Sequence, residues 1–358
     1  MLKSYRLYSH CNYVIIVLSV TLFLIAGCIR PDAAVPPTPA PVPIGTAYVF
    51  ALNQRLGRGV NLGNALEANY EGEWGLVLQE EYFRLIAEAG FTSIRVPIRW
   101  SAHADPQPPY AIAETFLQRV DWVIKQALAN DLLVVINMHH YDEMMQDPDA
   151  HRARFLGIWQ ALAAHFQAQP PEVLFELLNE PNTNLLPYRW NALVKEAIAT
   201  IRTTNPTRAL IVGPTGWNNV NDLVNLELPA EDRNLIVTFH LYEPFRFTHQ
   251  GAEWVAGSDP WLGTTWEGSA AEQRQLLTLF DKATTWAEKR QRPLLLGEFG
   301  AYSKAGLPSR VRWTAFVART AEERGISWAY WEFGAGFGVY DRSRQAWHEE
   351  LLRALIPE

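Results

Sequence analysis

The chain has 358 residues, 48% of them hydrophobic and 19% charged, which is enough to build one large globular core. Its 31 basic and 38 acidic residues give a formal net charge of −7, which argues against a nucleic-acid ligand because phosphates require a basic surface. Both cysteines, Cys11 and Cys28, lie near the N-terminus, so the rest of the chain has no disulfide and no thiolate metal site.

Residues 1–27 are predicted to be a lipoprotein-type signal peptide. Lys3 and Arg6 precede an uncharged apolar run over residues 13–26, whose length suits a signal-peptide core better than a membrane span. The run ends in Ile-Ala-Gly-Cys at residues 25–28, which resembles the bacterial lipobox, and this resemblance implies lipid on Cys28 after cleavage. An ordinary secretory signal or an uncleaved anchor is the alternative.

Residues 28–45 are proline-rich and predict an extended linker. Together with the leader, this linker predicts an exported protein, either tethered by lipid to the bacterial surface or membrane, or secreted. Residues 46–358 contain no further linker or repeat, so we expect them to form one domain.

Short apolar or β-branched runs alternate with longer amphipathic runs throughout this domain. The predicted strands cover residues 59–64, 93–98, 132–138, 173–178, 209–213, 235–240, 293–298 and 326–331. The predicted helices cover residues 80–89, 114–129, 154–167, 189–202, a weaker stretch at 221–226, and then 271–289, 309–324 and 347–355. Eight strand–helix cycles predict an α/β fold, a single-domain (β/α)8 TIM barrel. A doubly wound open sheet is the alternative.

Polar residues cluster where the predicted strands end. Strand three ends in His139 and His140, strand four in Glu180, strand six in His240 and Tyr242, strand seven in Glu298, and strand eight in Trp331. The carboxyl ends of the strands carry the chemistry of such barrels. The two glutamates therefore predict one shared site.

Two facing carboxylates are what hydrolysis of a glycosidic bond requires. One protonates the leaving oxygen and, in the retaining route, the other attacks the anomeric carbon. Spacing alone leaves the roles of Glu180 and Glu298 interchangeable. Glu176 is a rival on the same face of strand four, about 13 Å from Glu180 along an extended strand, and we expect it near the barrel floor, paired with Arg95 or Arg99.

Six segments, in order, resemble glycoside hydrolase family 5 (cellulase family A). They are Ile94-Arg95-Val96-Pro97, Asn137-Met138-His139-His140-Tyr141, Leu178-Asn179-Glu180-Pro181, Phe239-His240-Leu241-Tyr242, Gly297-Glu298-Phe299-Gly300 and Ala329-Tyr330-Trp331-Glu332. The likeness covers the chain after residue 50. Residues 57–67 and 247–254 look like a narrower branch, bacterial endoglucanases that also act on mannans.

The resemblance implies a retaining, endo-acting enzyme that needs no cofactor and no metal. It makes Glu180 the acid/base and Glu298 the nucleophile. Five further residues complete the expected catalytic set, Asn179 by holding the sugar 2-hydroxyl, Arg95 and Tyr242 by bonding Glu298, and His139 and His240 by tuning the acid/base pair or binding hydroxyls.

Aromatic and polar side chains on the strand-exit loops are expected to hold a neutral polysaccharide. Trp331 would form the floor of the cleft, with Trp254 and, more weakly, Trp217 and Trp261 as further stacking surfaces. The expected hydroxyl partners are His140, Asn64, Glu67 and His249.

The expected substrate is a β-1,4-glucan, either cellulose or mixed-linkage glucan, with mannan or glucomannan as a further or even the main substrate. We expect the protein to act as a monomer. Two other classes are a metal-dependent barrel hydrolase and a lipoprotein that binds glycans without cleaving them. The first usually has His-x-His on strand one, where this chain reads Asn61-Leu62-Gly63-Asn64.

Overall fold

A computed structural model describes residues 45–357. The predicted signal peptide, the lipidation site Cys28 and the linker up to residue 44 lie outside the described residues. Between residues 45 and 357, no helix combines the length and the apolar character that crossing a bilayer requires.

Eight parallel strands close into a barrel, each paired with the next in sequence and the last with the first. They are β1 (Arg58–Asn61), β2 (Ser93–Val96), β3 (Leu133–Asn137), β4 (Val173–Glu176), β5 (Leu210–Val212), β6 (Leu235–Leu241), β7 (Leu294–Phe299) and β8 (Ser327–Tyr330). Nearly every strand residue is buried, as expected for parallel strands covered on both faces. The predicted TIM barrel is confirmed, and the open sheet is wrong.

Helices of the outer layer connect the strands. The α-helices are α1 (Thr46–Leu56), α2 (Glu80–Glu88), α3 (Trp100–His103), α4 (Glu114–Ala129), α5 (Asp142–Gln146), α6 (Pro148–His165), α7 (Pro187–Arg202), α8 (Thr215–Asn218), α9 (Phe245–Thr248), α10 (Ala270–Arg290), α11 (Leu307–Glu323) and α12 (Glu349–Leu355). Two 3-10 helices cover Val220–Asn225 and Asp259–Trp261. The weak helix predicted after strand five is therefore 3-10 rather than α.

Helix α1 was not predicted, because it precedes the first strand–helix cycle. Its residues Val49, Leu52 and Leu56 pack in one buried cluster with residues from five barrel strands or their entrances, which closes the lower end of the barrel. A two-stranded hairpin beyond β8, formed by β9 (Tyr340–Asp341) and β10 (Ala346–Trp347), was also not predicted.

Several strands end earlier than predicted, at the end of the barrel that carries the polar residues. β1 stops at Asn61 rather than Asn64, and β4 stops at Glu176 rather than Leu178. The chain turns sharply beyond each of these strands, where Asn64 and Glu180 have positive φ angles of 66° and 48°. These turns change the direction in which the side chains of the site point.

Candidate active site

Glu180, His240 and Glu298 meet at the carboxyl end of the barrel. One oxygen of each carboxylate and one nitrogen of the imidazole all lie within 4.8 Å of one another. His240 Nδ1 is 2.8 Å from Glu180 Oε1 and 3.6 Å from Glu298 Oε2. The two glutamates that the sequence places more than a hundred residues apart thus face each other.

A bulge in β7 presents Glu298 to this group. Phe239 pairs with Leu296, but the next residue, His240, pairs with Glu298, so Gly297 is the extra residue. A Cβ at Gly297 would lie only 2.5 Å from Thr238 Oγ1, which explains why glycine occupies the bulge. Bulges re-aim neighbouring side chains, and this one places Glu298 beside His240.

A left-handed turn presents Glu180. After β4 ends, Asn179 N donates to Met138 O at 2.8 Å, which holds the chain against the exit of β3. Glu180 then adopts a φ of 48°, a conformation that costs about 1 kcal/mol or more in a non-glycine residue. Asn182 Nδ2 donates to the Glu180 carbonyl at 2.7 Å and supports the turn.

Arg95, on β2, lies beneath the pair and is only 1% exposed. Its Nη1 donates to Glu298 Oε1 at 2.7 Å, and its Nη2 donates to Asn179 Oδ1 at 2.7 Å. Its Nε and Nη2 donate to the two oxygens of Glu176 at 2.7 and 2.8 Å. One guanidinium therefore joins three of the residues singled out in the sequence.

Glu176 was expected near the barrel floor, and this placement is wrong. It is the last residue of β4 and lies one guanidinium away from Glu298. The expected separation assumed an extended strand as far as Glu180, whereas the strand ends at Glu176. The expected pairing of Glu176 with Arg95 is present.

Glu298 is surrounded by groups that favour its charged form. One oxygen accepts from Arg95, and the other accepts from the Tyr242 hydroxyl at 2.9 Å. Burial and the neighbouring negative charge raise the pKa of Tyr242 well above its usual value, so this hydroxyl keeps its proton and donates. Burial raises the pKa of Glu298 itself, while His240, Arg95 and the Tyr242 bond oppose that rise.

Glu180 has a different environment. Burial raises its pKa to about 7, Glu176 adds to the rise, and Arg95 opposes it from a distance without direct contact. A quarter of its side chain (25%) remains exposed towards the cleft. Near neutral pH, Glu180 can therefore carry a proton, whereas the bonds from Arg95 and Tyr242 favour the charged form of Glu298.

Two buried histidines flank the carboxylates, and both histidines are neutral. Burial lowers the pKa of His240 to about 4 and that of His139 well below its usual value. Asn218 Nδ2 faces His240 Nε2 at 3.2 Å, which leaves the proton on Nδ1 to donate to Glu180. His139 lies parallel to Trp331, with ring centroids 5.6 Å apart.

A cavity of about 590 Å³ opens beside Glu298. Nine of the predicted residues line it: Asn64, Glu67, His139, His140, Tyr242, His249, Trp254, Glu298 and Trp331. Arg95 and Asn179 lie below it in the buried network. Trp217 lies elsewhere, 58% exposed, with its backbone N bonded to Pro181 O at 3.3 Å next to Glu180.

Three residues that were expected to contact the sugar make contacts with other parts of the protein in this structure. Glu67 is 1% exposed, and its carboxylate accepts from the backbone N–H groups of Asn64 and Ala65, so it holds the turn after β1. His249 stacks on Phe245 at 4.1 Å. Trp261 is a neighbour of the same Phe245, at 6.0 Å, and does not line the cavity.

Three aromatic residues that line the cavity were not predicted: Trp74, Tyr302 and Phe337. Trp74 is 40% exposed and lies edge-on to His140 at 5.7 Å. Each lies on a loop that follows a barrel strand. Their position on strand-exit loops was visible in the sequence, but the direction in which their side chains point depends on the loop conformation.

Glu180, His240 and Glu298 also form the one cluster of potential metal ligands found between residues 45 and 357. Both oxygens of Glu298 already accept hydrogen bonds, and the Arg95 guanidinium would repel a cation at this point. The donor set fits a proton-transfer pair better than a metal site.

Comparisons with known proteins agree with this geometry. Residues 58–336 match the family model Cellulase (glycosyl hydrolase family 5). Endoglucanase H of Acetivibrio thermocellus is 35% identical over 328 residues, which are 90% of this chain but only 35% of that protein, so the chain spans about a third of that relative's length.

Solved structures of Thermotoga maritima Cel5A, one in complex with a mannotriose substrate and one with cellobiose, are 50% identical to this chain. Each superposes with a TM-score of 0.85 over 86% of this chain and 99% of that one. With the barrel, the facing glutamates and the family match together, the chain belongs to glycoside hydrolase family 5, the cellulase family, and is a glycoside hydrolase.

Proposed function

We propose that this enzyme cleaves internal β-1,4 linkages of glucan with retention of configuration at the anomeric carbon. The observation that supports retention is the approach of the Glu180 and Glu298 carboxylate oxygens to within 4.8 Å. Retaining enzymes hold their carboxyl groups about 5–5.5 Å apart, whereas inverting enzymes leave a wider gap for water.

In the first step, Glu298 attacks the anomeric carbon as the glycosidic bond breaks, and Glu180 gives its proton to the leaving oxygen. In the second step, Glu180 takes a proton from water, and that water displaces Glu298 from the same carbon. Arg95 and Tyr242 stabilise the charge of Glu298 as it leaves.

Asn179 is suited to hold the sugar at its 2-hydroxyl. Its side-chain oxygen accepts from Arg95, so its amide NH₂ remains available to donate to the sugar. Hydrogen bonds to this hydroxyl strengthen in the transition state of glycoside hydrolysis.

Aromatic surfaces on both sides of the carboxylates suit a long neutral polymer. Trp331, Trp254 and Trp74 lie on the Glu298 side, and Trp217 lies beside Glu180. Endoglucanase H and the cellobiose complex of the related Cel5A support glucan as the main substrate, and the mannotriose complex of Cel5A supports mannan as a second one.

A panel of polysaccharides tests the proposed substrate. We expect faster release of reducing ends from carboxymethylcellulose and mixed-linkage glucan than from glucomannan, little from xylan, and a rapid fall in viscosity that indicates internal cleavage. EDTA should leave these rates unchanged, because the site has no need of a metal. Faster cleavage of mannan than of glucan would make the enzyme a mannanase, and loss of activity in EDTA would revive metal chemistry.

Azide distinguishes the roles of the two glutamates. Glu298→Ala should lose at least about 10³-fold in kcat on every substrate, because no covalent intermediate can form. Glu180→Ala should lose about 10²- to 10⁴-fold on polysaccharide but far less on aryl glycosides with good leaving groups, which need little protonation.

With such an aryl glycoside, added azide should react with the intermediate of Glu180→Ala and give a glycosyl azide of retained configuration, as seen by proton NMR. A retained azide from Glu298→Ala instead would show that the two roles are exchanged.

The pH dependence follows from the pKa of Glu180, which burial raises to about 7. The acid carries its proton below this value and loses it as the pH rises, so kcat/KM on cello-oligosaccharides should fall on the alkaline side of about pH 7. In Glu180→Gln, assayed with an activated aryl glycoside, this alkaline limb should disappear. If the limb persisted unchanged, another group would be the acid.

We also propose export with a lipid anchor at Cys28 and action as a monomer. All of the site residues come from one chain. In a bacterial host, Cys28→Ser should move the enzyme from the detergent fraction of the envelope to the soluble exported fraction. Equal membrane retention of both forms would argue for an uncleaved anchor.

A further inference from the structure

Arg342 connects two loops that are distant in the sequence. It follows β9 at the tip of the small hairpin beyond β8, where it is partly buried. Its Nε donates to Gly334 O at 2.7 Å, and its Nη1 donates to Gly75 O at 2.5 Å. Gly75 lies 267 residues earlier, in the loop after β1.

Both of these loops line the cavity beside Glu298. Trp74 directly precedes Gly75, and Ala335, Gly336 and Phe337 follow Gly334. The Trp74 loop is held on its other side by Arg119, which donates to both oxygens of Glu71 at 2.8 Å. Trp74 therefore lies between two arginine attachments, one to the barrel periphery and one to the loop after the neighbouring strand β8.

The base of Arg342 is rigid. Asp341 Oδ1 accepts from Ser343 N and Arg344 N at 2.9 and 3.1 Å, which fixes the hairpin turn. Tyr340 stacks on Phe333 at 5.1 Å and lies edge-on to Trp347 at 5.1 Å, which anchors the hairpin in the core. The side chain of Arg342 therefore extends from a rigid hairpin.

The loop after β8 is equally well defined. The buried carboxylate of Glu332 accepts from the backbone N–H groups of Gly334, Ala335 and Phe337. The Arg342 stem packs so closely on Gly334 that a Cβ there would lie 3.1 Å from Arg342 Cγ. The guanidinium therefore joins a rigid wall to the wall that carries Trp74.

We propose that Arg342 is a positioning residue that holds Trp74 as a stacking surface for a sugar unit on the non-leaving side of the cleaved bond. This inference rests on the proposed function. Glu298 and Trp74 line the same cavity, whereas Glu180 and Trp217 lie outside it. The leaving part of the glycan therefore departs past Trp217, and the part held by Glu298 extends over Trp331 towards Trp74.

Arginine is suited to this role because its planar fork can donate to two carbonyls in different directions at once. Lysine has one compact ammonium group and would bind the two oxygens less specifically. The contact is made to backbone carbonyls, so it fixes the path of the Trp74 loop whatever the neighbouring side chains are.

The test is a series of aryl β-glycosides of cellobiose, cellotriose and cellotetraose with the same leaving group, so that only the non-leaving side grows. Arg342→Ala should lower kcat/KM about five-fold for the longest glycoside and less than about two-fold for the shortest. On the longest glycoside, the kcat/KM of Arg342→Lys should lie between that of the wild type and that of Arg342→Ala. Trp74→Ala should show the same length dependence, and adding Arg342→Ala to it should cause little further loss.

Arg344→Ala is the matched control. Arg344 lies on the same hairpin, its side chain is 82% exposed, and its ion pair at 3.7 Å is with Asp341 of the same turn. This variant should match the wild type on all three substrates. A thermal melt of each variant checks that the barrel is folded.

Binding without turnover separates this inference from the proposed function. In a Glu298→Ala background, Arg342→Ala should raise the calorimetric Kd of cellotetraose about five-fold and leave that of cellobiose nearly unchanged. An equal loss at every length, or no loss, would overturn the positioning role alone. Failure of Glu298→Ala itself to bind any cello-oligosaccharide would refute the glucan substrate and the positioning role together.

Discussion

The buried charge of Arg95 is the constraint on which the site depends. A guanidinium that is 1% exposed is costly unless its donors and its charge are satisfied, and the barrel satisfies both with side chains from several strands. Glu176 binds it from β4, Asn61 from β1 and Glu298 from β7. The strands must therefore close in register for this charge to be tolerated, so forming the barrel and assembling the catalytic site are one event.

The same guanidinium makes two chemically identical glutamates unequal. Arg95 contacts Glu298 directly and makes no contact with Glu180. The other carboxylate that it binds is Glu176. Three carboxylates, Glu176, Glu180 and Glu298, lie near this one cation, and a proton on Glu180 relieves the resulting excess of negative charge. Buried neutral His240 donates to Glu180 without adding charge. The proposed acid and the proposed nucleophile thus differ in their surroundings, as in other enzymes with paired carboxylates.

The strand–helix cycles and the cluster of polar residues at the strand ends could be predicted from the sequence. Buried strands are apolar along their length, so polar residues stand out where the strands end. What could not be predicted depends on local departures from ideal strands. Strand β4 ends at Glu176, so the expected distance to Glu180 did not apply, and the bulge at Gly297 sets the direction of Glu298. Helix α1 lies outside the repeating pattern. Trp74 was missed because only the folded loop turns it towards the cavity.

Chemistry and substrate recognition occupy different parts of the molecule. The carboxylates and Arg95 are fixed by strands or their immediate exits, whereas the aromatic walls are carried by loops. Tyr302 donates to Glu253 at 2.8 Å, and Lys304 pairs with the same carboxylate at 2.7 Å, so the loops after β6 and β7 fasten each other beside Trp254. Substitutions in such loops can change which glycan fits without disturbing the buried charges. Under the proposed function, the preference between glucan and mannan should therefore depend on these loop contacts together with the bond from Asn179 to the sugar 2-hydroxyl, the position at which the two sugars differ.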